Sequence, residues 1–372
     1  MELGTFDYQP RTRLIYGNGA LARIGDLVRE LGGTRVLIVS DPGIVKSGYT
    51  TRAASYLNAA GLQSRVFGEV RENPSTEDVA NCVRIAREFR TDFIIGLGGG
   101  SSMDTAKGCN FILSNGGQMQ DYWGTGKATK PMLPSIAIPT TSGTGSECQS
   151  YALISDAKTH VKMACGDPKA AAKIAILDPE LTVSQPHRVT VCTGIDAISH
   201  ALETAVTNKR TAISSLFARE AFQRLESSFS LVLREPKNLE ARGQMLLGAA
   251  YAGTAIENSM LGAAHSCANP LTAKFNVVHG EAVGVMLPHI IRFNSALPEI
   301  AAIYQGYFAG NLANRVSELL TEAKMPLQIS HYGVTEDDLP ALAEMAAKQW
   351  TAQFNPRPVT VADFISLYRA AL

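Results

Sequence analysis

The chain lacks an excess of either charge: 34 lysines and arginines balance 34 aspartates and glutamates over 372 residues. A protein whose main partner is nucleic acid needs a basic surplus or a basic run to neutralise phosphates, and neither is present. No stretch of about 18 apolar residues occurs, which argues against a membrane-spanning helix. The opening residues, Met1 to Tyr8, are acidic and lack an apolar signal core, so the expected compartment is the cytoplasm. The six cysteines, at 82, 109, 148, 165, 192 and 267, contain no C-x-x-C pair and no even spacing. That excludes a disulfide framework and a sulfur-rich metal site, and leaves reduced, mostly buried thiols. Histidine is scarce, with seven in all, so the places where it falls carry information.

What is present is apolar residue in quantity, 45% of the chain. At this length two domains are expected rather than one core. The first half alternates strand and helix signals. Arg13 to Tyr16 reads as a strand, and a Gly-Asn-Gly turn leads into an amphipathic helix ending at Gly32-Gly33. Arg35 to Val39 is a short apolar run of the kind a buried parallel strand shows, followed by Ser40-Asp41-Pro42-Gly43. An acid at the carboxyl end of such a strand suits ribose hydroxyls, and it serves equally as a turn or helix cap. Helices near 49–60 and 76–90, a strand near 64–67 and a turn at Asn73-Pro74-Ser75 continue the alternation. It predicts a parallel sheet with helices on both faces.

The strand Phe93 to Leu97 runs into Gly98-Gly99-Gly100-Ser101-Ser102-Met103-Asp104-Thr105-Ala106-Lys107, where a helical pattern begins. Glycines there let backbone N–H groups approach an anion, and the helix N-terminus adds its dipole. The plainer reading is a tight turn. A Walker loop is excluded, because no Gly-Lys-Ser/Thr follows, and Ser101 stands where the dinucleotide fingerprint has its last glycine. The strand Ser135 to Ile138 ends in Pro139-Thr140-Thr141-Ser142-Gly143-Thr144-Gly145-Ser146-Glu147, a run of uncharged donors suited to phosphate or ribose. A hairpin follows at 150–164, where Lys162 either points inward or is a solvated strand residue. Ile174 to Leu177 closes this half as its last strand.

From about 186 the pattern turns helical, with 3.6-residue periodicity at 193–207, 212–230, 239–259, 281–295, 300–324 and 336–348. The expected division is therefore 1–185 and 186–372, with a ligand cleft at the boundary. Within this half, Asp196 and His200 are four residues apart and share one helix face. That spacing alone most often means a modest surface pair. Two more histidines, His265 and His279, sit beside small residues that allow close approach, and together the four would complete a first shell for a divalent metal. Cys192 and Cys267 are near enough in sequence to be weighed as thiolate ligands, although such cysteines usually come in closely spaced groups.

With these stretches assembled, the sequence resembles the iron-containing (group III) alcohol dehydrogenase family of the dehydroquinate-synthase-like superfamily. The motifs are Gly98 to Ser101 with Asp104 and Lys107, Pro139 to Glu147, Asp178-Pro179-Glu180-Leu181-Thr182, Thr193-Gly194 with Asp196 and His200, and His265 with His279-Gly280. The resemblance implies an α/β Rossmann-like N-terminal domain and an all-α C-terminal domain. It implies that Asp196, His200, His265 and His279 bind Fe2+, Zn2+ or another divalent ion. It also implies NAD on the turn Gly98, Gly99, Gly100 and Ser101, with Asp41, Asn73, Asp104, Thr140, Thr141, Thr144, Lys162 and Leu181 lining it. An acid at 41 repels a 2′-phosphate and so favours NAD over NADP. The implied activity interconverts a small, primary alcohol and its aldehyde; a metal- and NAD-dependent cyclase resembling dehydroquinate synthase is the alternative. Such a cyclase needs several basic residues around an anionic substrate, and only Lys274 and Arg292 stand near the ligands in sequence. Relatives often carry a further histidine four residues after the third ligand; here it is Asn269, which is no general base. Leu261, Phe275 and Trp123 are either apolar liners or core residues. By analogy the chain is expected to form a homodimer or higher homo-oligomer through Thr5 to Tyr16.

Overall fold

A computed structural model of the chain describes residues 5–159 and 161–372. These form two compact units, one of Gln9–Thr141 with Gly145–Gln185, the other of Ser142–Thr144 with Pro186–Leu372 and residues 5–8. The short loop Ser142–Thr144, placed with the first domain on sequence, goes with the second unit.

The first unit holds strands β1 (Arg13–Tyr16), β2 (Arg35–Val39), β3 (Gln63–Phe67), β4 (Phe93–Gly98), β5 (Gly124–Thr125), β6 (Ser135–Pro139), β7 (Tyr151–Ser155), β8 (Lys162–Gly166) and β9 (Ile174–Leu177). Six of them make one sheet in the order β1-β9-β6-β4-β2-β3, parallel throughout. Its central strand β4 is buried along its whole length, which is why it reads as an unbroken apolar run. The period of two sorts its neighbours' side chains onto two faces. Val36, Ile38, Phe93 and Ile95 join one apolar cluster with Leu27 and Leu57, while Leu37, Val39 and Ile94 join another with Val79 and Cys109. Those partners belong to helices α1 (Ile24–Glu30), α3 (Tyr49–Ala59), α4 (Thr76–Glu88) and α5 (Gly100–Asn115); a one-turn helix α2 (Pro42–Lys46) lies between β2 and α3. The hairpin predicted at 150–164 is the antiparallel pair β7–β8, extended by β5 into a small second sheet.

The second unit is helical: α6 (His187–Thr204), α7 (Ala212–Arg234), α8 (Leu239–Glu257), α9 (Ala263–Phe275), α10 (His279–Asn294), α11 (Pro298–Tyr307), α12 (Leu312–Glu322), α13 (Leu339–Ala347) and α14 (Val361–Ala371). A single apolar cluster runs through them, from Ile195 and Ile198 on α6 to Phe364 on α14. The segment expected as one helix over 300–324 is two, α11 and α12, broken at Phe308–Asn311. Helices α9 and α14 had not been expected. In α9 an internal proline, Pro270, and alanines in place of larger apolar residues hide the period. α14 is announced by a capping box, Thr360 with Asp363, that sequence reading passed over.

Candidate active site

In the first unit, β4 delivers Gly98 and Gly99 to the start of α5. Gly98 sits at φ +152°, in the region that favours glycine, and a Cβ there would lie 2.4 Å from Ser102 Oγ and 3.1 Å from Asp41 Oδ2. Its carbonyl accepts from Thr140 N–H at 2.9 Å, and Thr141 stands beside Gly99. The first turn of α5 carries no capping side chain and no acid. Its N–H groups are therefore suited to an anionic ligand.

Asp41 turns out to serve as a cap and also to adjoin the glycine turn. Oδ1 accepts from Gly43 and Ile44 N–H at 2.9 and 3.1 Å, while Oδ2 accepts from Ser102 Oγ at 3.3 Å. Asn73 is exposed at φ +52°, ahead of α4. Lys162 is exposed on β8, and Thr144 is half-buried in the second unit. Two expected cofactor residues present no free side chain. Leu181 is completely buried in the sheet's core. Asp104 is buried with both oxygens engaged, accepting from Ser146 Oγ at 2.7 Å and Leu153 N–H at 3.1 Å. Burial raises its carboxyl pKa, against the opposing charge of Lys107. Lys107, also buried, donates to the Ser146 and Tyr151 carbonyls at 2.6 and 2.9 Å. Asp104 and Lys107 thus brace the 146–153 segment onto α5.

In the second unit three helices converge. Asp196 and His200 lie on α6, one turn apart; His265 lies in the first turn of α9, and His279 begins α10. Gly280 makes the last approach possible: a Cβ there would fall 2.1 Å from the Cys192 carbonyl oxygen on α6. Asp196 Oδ1 faces His200 Nε2 at 3.4 Å, His265 Nε2 at 3.6 Å and His279 Nε2 at 3.7 Å. The Nε2 atoms of His200 and His265 are 3.2 Å apart. Four donors in a tetrahedron on bonds of about 2.0–2.2 Å would lie about 3.3–3.6 Å apart, so these spacings fit a divalent ion. The ligand atoms of Asp196, His265 and His279 all lie within 4.8 Å of one another, and His200 stands beside Asp196 and His265. Asp196 Oδ1 is buried without a hydrogen-bond partner, a costly arrangement unless a cation or proton meets it.

The electrostatics agree. Burial alone would raise the Asp196 pKa, but the charges of the facing imidazoles, His200 first, hold it well below the carboxylate range. Burial lowers His200 against the pull of Asp196. Its Nδ1 faces the Gly143 backbone without forming a hydrogen bond of good geometry. Burial also works against the charged form of His265, but the charges of Glu203 and Asp196 prevail and take it up to about 9. His279 keeps 30% of its side chain exposed, which leaves one side open. The thiolate alternatives are not supported: the ligand atoms that cluster are those of Asp196, His265 and His279, Cys192 Sγ faces Glu281, and burial raises the pKa of both Cys192 and Cys267. Sequence reading assigned no role to Glu203, which accepts from His265 Nδ1. Asn269 donates to Gln349 Oε1 at 2.9 Å, Phe275 packs against the helical core, and Trp123 is half exposed.

A parallel-sheet unit with a glycine turn and a helical unit with an Asp-His-His-His cluster are the features the sequence resemblance implies for an oxidoreductase. Residues 10–179 match the family described as iron-containing alcohol dehydrogenase, and residues 190–372 match its C-terminal family. The chain belongs to the iron-containing alcohol dehydrogenase family. It is 33% identical to the NAD-dependent methanol dehydrogenase of Bacillus methanolicus, over 96% of this chain and 97% of that one. The crystal structure of a 1,3-propanediol oxidoreductase superposes with a TM-score of 0.94 at 30% identity, over 99% of this chain and 100% of that one. The sulfoacetaldehyde reductase of Bifidobacterium kashiwanohense, solved in complex with NAD+, gives 0.90 at 28% identity over 99% of both. Membership of this family makes the chain an oxidoreductase of alcohols and aldehydes and sets the cyclase alternative aside.

Proposed function

We propose that Asp196, His200, His265 and His279 hold one divalent cation, iron or zinc, and that NAD binds along Gly98–Ser101 with Asp41, Asn73, Thr140 and Thr141. The observation that carries the metal reading is the buried, unpartnered Asp196 Oδ1 with three imidazole nitrogens 3.4–3.7 Å away. A divalent cation held there would supply Lewis acidity worth on the order of 10 kcal/mol toward ionising a hydroxyl, and bound NAD would supply the hydride acceptor or donor. The chain's own residues position and exclude. Buried His200 and His265 keep water from most of the cluster, and the exposed edge of His279 leaves an approach for a small alcohol or aldehyde. Asn269 donates its amide to Gln349 Oε1 and is no general base.

The substrate class is a small primary alcohol and its aldehyde, which the methanol, propanediol and sulfoacetaldehyde specificities of the relatives support. Asp41, beside Gly98, favours NAD over NADP by charge. A homo-oligomer is proposed because β1 is an open edge strand of the sheet. The cytoplasm is proposed from the buried, unpaired cysteines. Among the described residues, no helix is long and apolar enough to cross a membrane.

Substituting His265→Ala or His279→Ala tests the site. Each variant should lose bound metal and nearly all alcohol-dependent NADH formation while still binding NAD; full turnover in either would contradict the assignment.

A further inference from the structure

Helix α9 starts without a capping side chain of its own. Its N-cap is Gly262, and the first two N–H groups are met from distant parts of the chain. Ala263 N–H donates to Asn355 Oδ1 at 3.3 Å, and Ala264 N–H donates to Glu203 Oε1 at 2.7 Å. The other oxygen of Glu203, Oε2, accepts from His265 Nδ1 at 2.5 Å. Glu203 lies on α6, two turns beyond Asp196, and is 4% exposed. One buried carboxylate thus receives a helix terminus and the imidazole whose Nε2 faces Asp196.

A neutral imidazole has one N–H and one lone pair, and a cation needs the lone pair. An acceptor on Nδ1–H leaves the lone pair on Nε2. A carboxylate accepts on both oxygens and can serve both donors. A carboxamide cannot. If its oxygen takes Ala264 N–H, its NH2 faces His265 Nδ1 and shifts the ring proton to Nε2. If it is flipped, NH2 meets the Ala264 N–H. We propose that Glu203 is a positioning residue of the active site: by accepting from the first turn of α9 and from His265 Nδ1 together, it sets the tautomer and direction in which His265 faces the cation. The proposal rests on the cation-site reading above.

The test measures Zn2+ affinity of chelator-stripped protein by competition with a chromophoric chelator, alongside circular dichroism and the metal-free Tm. Glu203→Gln should fold, with metal affinity weakened about 10- to 100-fold and an altered visible spectrum when loaded with Co2+. Asn355→Ala, which removes the neighbouring acceptor without touching a ligand, should lower the Tm and leave metal affinity within about twofold of wild type. Affinity in Glu203→Gln within about twofold of wild type would overturn the proposal. So would equal weakening in Asn355→Ala, since Glu203 would then be only a cap. Histidine-selective 15N NMR of the zinc-loaded wild type asks the same question without a variant: His265 should carry its proton on Nδ1, and a bare Nδ1 overturns the assignment. If wild type binds no stoichiometric Zn2+ or Fe2+, the site reading itself fails and this proposal falls with it.

Discussion

At position 280 there is no room for a methyl group. A Cβ there would meet the backbone oxygen of Cys192 at 2.1 Å, and backbone cannot swing aside as a side-chain tip can. Gly280→Ala should therefore push α10 from α6, costing on the order of 1–3 kcal/mol and displacing the adjacent His279. Metal analysis and thermal melts would check this, and unchanged metal content with unchanged Tm would refute it. Glu147 gives a second prediction. It is 1% exposed with Oε1 unpartnered, and burial raises its pKa from 4.5 to about 7 against its own N–H and Lys107. A folded-state pKa above the unfolded one contributes stability below about pH 4.5, and that contribution is lost as pH rises through about 7. Glu147→Gln should thus stabilise the protein more at pH 8 than at pH 5, by at most about 3 kcal/mol. Equal Tm changes at the two pH values would count against a buried, neutral Glu147. Asp196 with His200 was legible because i,i+4 is a local rule. Glu203 was not, because its partner is 62 residues on and nothing local marks it.

Elements carry the next level. The turn from β4 into α5 was legible as a glycine turn feeding a helix N-terminus, because strand, glycines and helix follow one another directly. The same stretch misled at Asp104, whose side chain turns into the protein to brace Ser146 and Leu153; a sequence of adjacent residues does not say which face of a helix looks outward. Gly98→Ala would place a Cβ 2.4 Å from Ser102 Oγ at φ +152°. It should weaken NAD binding while leaving metal content at the wild-type level, as read by cofactor titration and metal analysis of the same preparation. Unweakened NAD binding would place the cofactor elsewhere. Helix α9 was missed for a related reason: its start is capped in trans by Glu203 and Asn355, so the N-terminal signature that local reading seeks is absent from its own sequence.

At the scale of the whole molecule, the change from alternating strand and helix to helix alone was visible in periodicity, and the six-stranded parallel sheet followed from it. Strand order was not visible, because β9 inserts between β1 and β6, and its pairing with β1 joins residues as distant as Arg13 and Ile174. The four proposed ligands span residues 196–279 on three helices, so a metal bound by them would tie distant chain segments together. A ligand bound only to the native state at about 100 times its Kd adds about 2.7 kcal/mol of stability. The most direct measurement is alcohol-dependent NADH formation by one preparation before metal removal, after stripping with a chelator, and after adding back Fe2+ or Zn2+. Activity should vanish on stripping, with NAD binding retained, and return with about one ion per chain. Undiminished turnover in protein with no measurable metal would contradict the account.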